Sequence, residues 1–175
     1  MAPALFIHRT DLVKNSILDG YVDTDKFIHF IKVAKQLDIQ HVLGTDLYNK
    51  ISADIIAGTL SGNYLTLVNT YVQPTLIWFA QMNYIPFAAY QIKNGGVFKH
   101  SSETAQNVDK NEVDYLVDKA REFMEYYSRR FIDFMAFNQS DYPEYTSNTN
   151  DDIYPDYDAL FNGWVLWDIN QNKKI

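Results

Sequence analysis

From Asp109 to Asn138 the chain carries one uninterrupted helical pattern. Val113, Leu116, Val117, Ala120, Phe123, Met124, Tyr127, Phe131 and Met135 recur three and four residues apart. That spacing places them on one stripe of an α-helix of roughly seven turns at ~3.6 residues each. Glu112, Asp118, Lys119, Arg121, Glu122, Arg129 and Arg130 fall mostly off the stripe. Asp109 stands at the start, where a carboxylate satisfies free backbone N–H groups of the first turn. A rod of this length with a single apolar stripe needs other helices to cover it, so the sequence predicts a mainly α fold, a helical bundle.

The preceding residues supply those partners. Thr10 and Asp11 mark a short first helix reaching Leu18, before Gly20. Asp23, Thr24 and Asp25 precede a stripe of Phe27, Ile31, Ala34 and Leu37 that runs to Asp38. Ile39 to Leu43 reads as one turn that Gly44 ends. Thr45 or Asp46 then starts a helix with Leu47, Tyr48, Ile51 and Ile55 on one face, and Gly58 and Gly62 bracket the next break. Tyr64, Leu65, Val68, Tyr71 and Val72 form a further stripe up to Pro74. Leu76 to Ile92 is apolar nearly all round, as a central helix packed on several sides should be, and Pro86 should bend it. Gly95-Gly96 stops this element, Val97-Phe98-Lys99 is the candidate for a short strand or hairpin, and Ser101 to Asp109 reads as a loop.

Composition narrows the chemistry. The 175 residues contain no cysteine, which removes disulfides, thiol nucleophiles and thiolate metal sites. Net charge is −7, a balance that disfavours direct binding to a phosphate backbone, since such binding depends on clustered Lys and Arg. The residues from Met1 to Arg9 lack a basic leader with a long apolar core, so no signal peptide is expected. Thr75 to Tyr90, the most apolar run, falls short of the ~20 apolar residues that a membrane span requires, and no membrane partner is expected.

No catalytic or metal motif emerges. His8, His29, His41 and His100 lack the paired spacing of a zinc site. Asn148 to Asp152 resembles the start of a calcium loop, but Ile153 and Ala159 stand where such a loop needs glycine and glutamate. Gly95-Gly96 belongs to no phosphate-binding pattern. The expectation is a protein that is not an enzyme, with no cofactor and no bound metal.

The C-terminal end is different in kind. Between Phe131 and Asn172 there is no Lys or Arg, while Asp141, Glu144, Asp151, Asp152, Asp156 and Asp158 accumulate. Tyr142, Tyr145, Tyr154, Tyr157, Phe161, Trp164 and Trp167 lie in the same span. Pro143 and Pro155 discourage regular structure, and Trp164 to Trp167 could add a strand to a sheet edge. Such a segment either folds back on its own domain or acts as an arm. Aromatic residues dominate interface hot spots, so these seven are the expected partner contacts. The organisation predicted is a helical bundle over residues 1–138 and an extended arm over residues 139–175.

The series Asp38-Ile39-Gln40-His41-Val42-Leu43-Gly44-Thr45-Asp46-Leu47-Tyr48, the aromatic-rich central helix, Asn94-Gly95-Gly96-Val97 and the long amphipathic helix follow one another in order. This order resembles the head–tail connector proteins of tailed bacteriophages, also called adaptor or ring proteins, and is most similar to the ring proteins of crAss-like and other Bacteroidetes phages. The likeness covers about Leu5 to Asn138. It implies a virion structural protein at the head–tail interface, synthesised in the host cytoplasm. The subunit would form a homo-oligomeric ring, a dodecamer, below the portal and against other neck and tail rings. DNA would pass through the lumen without sequence-specific binding, and an acidic wall would repel rather than trap it. The alternative is a cytosolic, non-enzymatic adaptor or regulatory protein that binds one partner through its arm.

Overall fold

The computed structural model describes residues 4–7, 9–16, 24–88, 90–93, 96–99, 109–147, 149 and 152–155. Their fold is mainly helical, with three long rods. The first rod joins α2 (Thr24–Ala34), a π-helical turn (Lys35–Ile39) and α3 (Gln40–Ala57). The second joins α4 (Gly62–Leu67), a second π-helical turn (Val68–Val72) and α5 (Gln73–Ala88). The third is α6 (Lys110–Asn138). A short α1 (Arg9–Asn15) precedes them. A single 3-10 turn (Gln139–Asp141) and α7 (Pro143–Ser147) follow.

The ends of these rods follow from local chemistry. Asp109 caps α6 in a reciprocal box: its carboxylate accepts from Glu112 N–H at 2.9 Å, and the Glu112 carboxylate accepts from Asp109 N–H at 2.9 Å. α3 ends at Gly58, whose φ of 69° lets its N–H turn back onto the carbonyls of Asp54 and Ile55. Inside α3, Gly44 leaves helical geometry altogether (φ 72°, ψ 161°). The break expected at Gly44 is therefore present: two helices meet there at a kink.

α5 packs between α6 and α2. Trp78 stacks on Phe123 with ring centres 4.5 Å apart, and Tyr71 on Phe134 at 4.0 Å. Numbering thus rises along one rod as it falls along the other, and α5 and α6 are antiparallel. Phe27 and Phe30 of α2 meet Tyr84 of α5 edge-on at 5.1 and 5.4 Å. Leu43, Leu47, Ile51, Val72, Leu76, Phe131 and Met135 fill the space between. Buried polar side chains of α5 bond within their own rod: Thr75 Oγ1 donates to Tyr71 O in the π-helical turn at 2.8 Å, and Gln81 Nε2 to Ile77 O at 3.4 Å. The N-terminal segment is pinned by Lys35, a buried lysine whose Nζ donates to Ala4 O at 2.8 Å between the rings of Phe6 and Tyr48.

Several expectations need correcting. The central helix stops at Ala88, not Ile92. Tyr90–Lys93 forms β1, paired antiparallel with β2 (Gly96–Lys99), Ile92 opposite Val97. Pro86 therefore sits in the last turn of α5, so the hydrogen bond it cannot donate to Met82 O is lost near the end of the rod rather than in its middle. Leu37, placed on the α2 stripe, is 61% exposed, because the π-helical turn shifts the residues after Ala34 out of a 3.6-residue period. Phe123, placed on the buried stripe of α6, is 47% exposed and covers Trp78 from outside.

The boundary at 138 also moves. The packed body continues past Asn138 and takes in Tyr142, Tyr145 and Pro155, all buried. Charged and polar residues gave the stretch after 138 the composition of an arm, but its first two tyrosines belong to the core.

Candidate interaction surfaces

Two surfaces stand out. The first begins with the sequence of α3. Because Gly44 turns out of the helix, the rod restarts at Thr45, and a helix start leaves backbone N–H groups in need of acceptors. Ile153 supplies one of them, and Thr149 and Asp152 bond to side chains of the same turn. Thr45 N–H donates to Ile153 O at 3.0 Å, and Ile153 N–H donates back to Thr45 Oγ1 at 3.0 Å. Thr45 Oγ1 donates to Asp152 Oδ2 at 3.0 Å and accepts from Gln40 Nε2 at 3.2 Å. The hydroxyl thus uses its one donor and both acceptor positions. Gln40 Nε2 also reaches Asp152 Oδ2 at 3.3 Å. One residue along, Asp46 Oδ2 accepts from Thr149 N–H at 2.6 Å and Thr149 Oγ1 at 3.1 Å. The Asp152 carboxylate lies at the positive end of the restarted helix, where a negative charge is favoured.

Upstream of that clasp, the polypeptide is anchored by aromatic packing. Tyr142 and Tyr145 are each 1% exposed. The Tyr142 ring meets Tyr64 edge-on at 5.5 Å and Phe134 at 6.2 Å, and its hydroxyl donates to Asn63 O at 3.2 Å. Tyr64 hydroxyl donates to Glu144 Oε2 at 2.7 Å. Burial, then the hydrogen bond to Glu144, raises the Tyr64 phenol above its ordinary range, so it stays a donor. Tyr142 and Tyr145 were expected to contact a partner; they are instead core residues of their own chain, since the 3-10 turn after α6 folds α7 back onto α3. Tyr154 is 69% exposed, beside the clasp. Tyr157, Phe161, Trp164 and Trp167 lie outside the described residues.

The second surface is the outer side of α6. Tyr115, Tyr126 and Phe137 stand eleven residues apart, about three turns, and so lie almost in line along the rod. All three are exposed, Phe137 by 88%. Phe123 lies beside them, and Arg129 and Arg130 between. Lys119 and Arg121 pair with Glu122 and Asp118. Arg129 and Arg130 form no ion pair with a described residue, and Arg130 lies over the Tyr71 ring at 4.9 Å. The signal was present in the eleven-residue spacing of large aromatics on the polar side of the helix.

Other features are weaker. A cavity of about 350 Å³ lies between the N-terminal segment and the second rod, lined by Phe6, Asp11, Ile55, Leu65, Asn69 and Gln73 among others. Among the described residues there is no group of three His, Asp or Glu side chains arranged to hold a metal. No described helix is long and apolar enough to cross a membrane.

A helical bundle whose C-terminal segment is clasped back to a break in its first rod is the architecture on view. Residues 39–157 match the model of the Family of unknown function (DUF6712), and the chain belongs to that family. The matched span starts just before the Gly44 break and ends just after the segment bound to it, so it takes in both halves of the clasp. Comparison with curated proteins and with solved structures finds no match.

Proposed function

We propose that this chain is a non-enzymatic structural subunit of a tailed-phage virion, assembling with copies of itself into a ring of the head–tail connector below the portal. The observation that carries the reading is the clasp at Thr45. It fixes the polypeptide at Pro155, leaves Tyr154 exposed, and so gives residues 156–175 a rigid root from which to reach a neighbour. The same clasp is built on the Asp38–Tyr48 series that carries the resemblance to connector proteins. Ring contacts are head-to-tail, so each subunit needs two different faces; the arm root and the outer side of α6 are two such faces. A net charge of −7 suits a wall past which DNA slides.

Copurification tests the reading. The chain should be found in purified particles together with portal and neck proteins, in the copy number of a closed ring, twelve being the number expected. Absence from particles would overturn it. A fixed single copy in a complex with one cytosolic protein would establish the adaptor reading instead.

A further inference from the structure

We infer that the cleft beside the N-terminal segment is a receptor for an arginine side chain presented by another protein. It is small beside the two surfaces described above, but its lining is more selective. Four parts of the chain meet there. The N-terminal segment contributes Phe6, α1 contributes Asp11, the connection after α3 contributes Leu60, and the second rod contributes Leu65, Asn69 and Gln73. These last three recur four residues apart on one stripe of the rod, whereas Tyr71 and Trp78 carry the side that meets α6. The inference does not rest on the ring reading, since a ring subunit and an adaptor alike need a site for a different protein.

The lining specifies the ligand. Gln73 Nε2 donates to Phe6 O at 3.0 Å. A carbonyl oxygen only accepts, so the amide nitrogen is committed to that bond and Oε1 remains as an acceptor. The Asp11 carboxylate forms neither a hydrogen bond nor an ion pair with a described residue, and Lys14, three residues on in the same helix, does not pair with it. The Asn69 side chain has no hydrogen bond to a described residue either. Asp11 carries the only charge among the residues that line the cleft. Acceptors beside a negative charge call for a cation with several donors, and Phe6, Leu60 and Leu65 call for an apolar stem behind it. Arginine has both: an alkyl stem and a planar guanidinium whose N–H groups match a carboxylate two at a time. The volume of about 350 Å³ lies at the low end of the ~300–1,000 Å³ range of ligand pockets, which suits one side chain better than a cofactor.

The chain's own arginines beyond α1 are poor candidates for the occupant. Arg121 pairs with Asp118 at 2.8 Å, and Arg130 lies over the Tyr71 ring at 4.9 Å. Arg129 stands four residues from Glu125 and four from Asp133, two acidic neighbours that Asp11 would repel. A chain of net charge −7 draws in a basic partner instead.

Nuclear magnetic resonance on the full-length chain tests the assignment, with butylguanidinium as the probe and butylurea as its planar, uncharged counterpart. Butylguanidinium should shift the side-chain amide signals of Asn69 and Gln73 saturably, with a dissociation constant in the millimolar range expected of so small a ligand. Butylurea should bind at least tenfold more weakly. Asp11→Asn should weaken the probe by a similar factor while the melting temperature stays near that of the parent. Equal binding of the two compounds by the parent chain overturns the inference whether or not the variant folds. So does the absence of a saturable shift, or unaltered binding in a folded Asp11→Asn chain. If the chain self-associates and butylguanidinium dissociates it, a second copy supplies the arginine, and the assignment to another protein falls.

Discussion

Asp38, within the first π-helical turn, has its Oδ2 buried and without a hydrogen-bond partner among the described residues. Burial disfavours the charged carboxylate and pushes its pKa from 3.8 up to about 7. The folded chain therefore binds this proton more tightly than the unfolded chain. Stability from this residue is complete below pH ~4 and is lost as pH rises to about 7. Asp38→Asn should stabilise the protein by roughly 2–4 kcal/mol at about pH 8 relative to its effect at about pH 4. Urea unfolding of variant and parent at both pH values measures this difference; equal effects would show that Asp38 is ionised in the native state. Core position gives a second expectation at this scale. Phe131→Ala empties a fully buried site and should cost ~3–5 kcal/mol. Phe123→Ala removes a half-exposed ring stacked on Trp78 and should cost only ~1–2 kcal/mol. Comparing the two melts checks which side of α6 faces the core.

Among the elements, α3 depends most on one residue. Gly44 has φ 72° and ψ 161°, a combination open essentially to glycine alone. In an ordinary helix interior Gly→Ala would stabilise by ~0.5–1 kcal/mol. Here Gly44→Ala should destabilise by ~1–3 kcal/mol, because a Cβ strains the turn that frees Thr45 N–H for Ile153. The sign of the change in denaturation midpoint decides the matter. The same element explains why a π-helical turn and a helix break lie so close together. The turn at Lys35–Ile39 buries Lys35 against the N-terminal segment, and the break at Gly44 receives the C-terminal one. Both ends of the described chain are thus tied to the first rod.

For the whole molecule, the packed body extends through Pro155. Truncation after Asn138 removes Tyr142 and Tyr145 from the core and the clasp from Thr45, and should abolish the cooperative thermal transition or lower its midpoint sharply. Truncation after Pro155 keeps all of these contacts and should leave the transition near that of the full chain, whereas the proposed ring assembly should be lost. Calorimetry and sedimentation on the two truncations test the pair of statements. A full-length midpoint in the shorter truncation would mean that the two tyrosines contribute nothing to the bundle.

Periodicity determined that the chain is mainly helical and that one amphipathic rod follows Asp109, and a glycine marked the break at Gly44. These features depend on neighbours three or four residues away, and such neighbours are visible in a sequence. The hairpin was legible too, since the pair Asn-Gly is a favoured hairpin sequence, yet the apolar run before it read as more helix. Only tertiary structure decided that Tyr142 and Tyr145 enter the core, that Leu37 faces out, and that Thr45 binds a segment more than a hundred residues away. An aromatic side chain has the same composition whether it packs on its own bundle or on a neighbour, and two π-helical turns shift the helical register without a local signature. Long-range placement is set by which surfaces remain uncovered once the rods have packed.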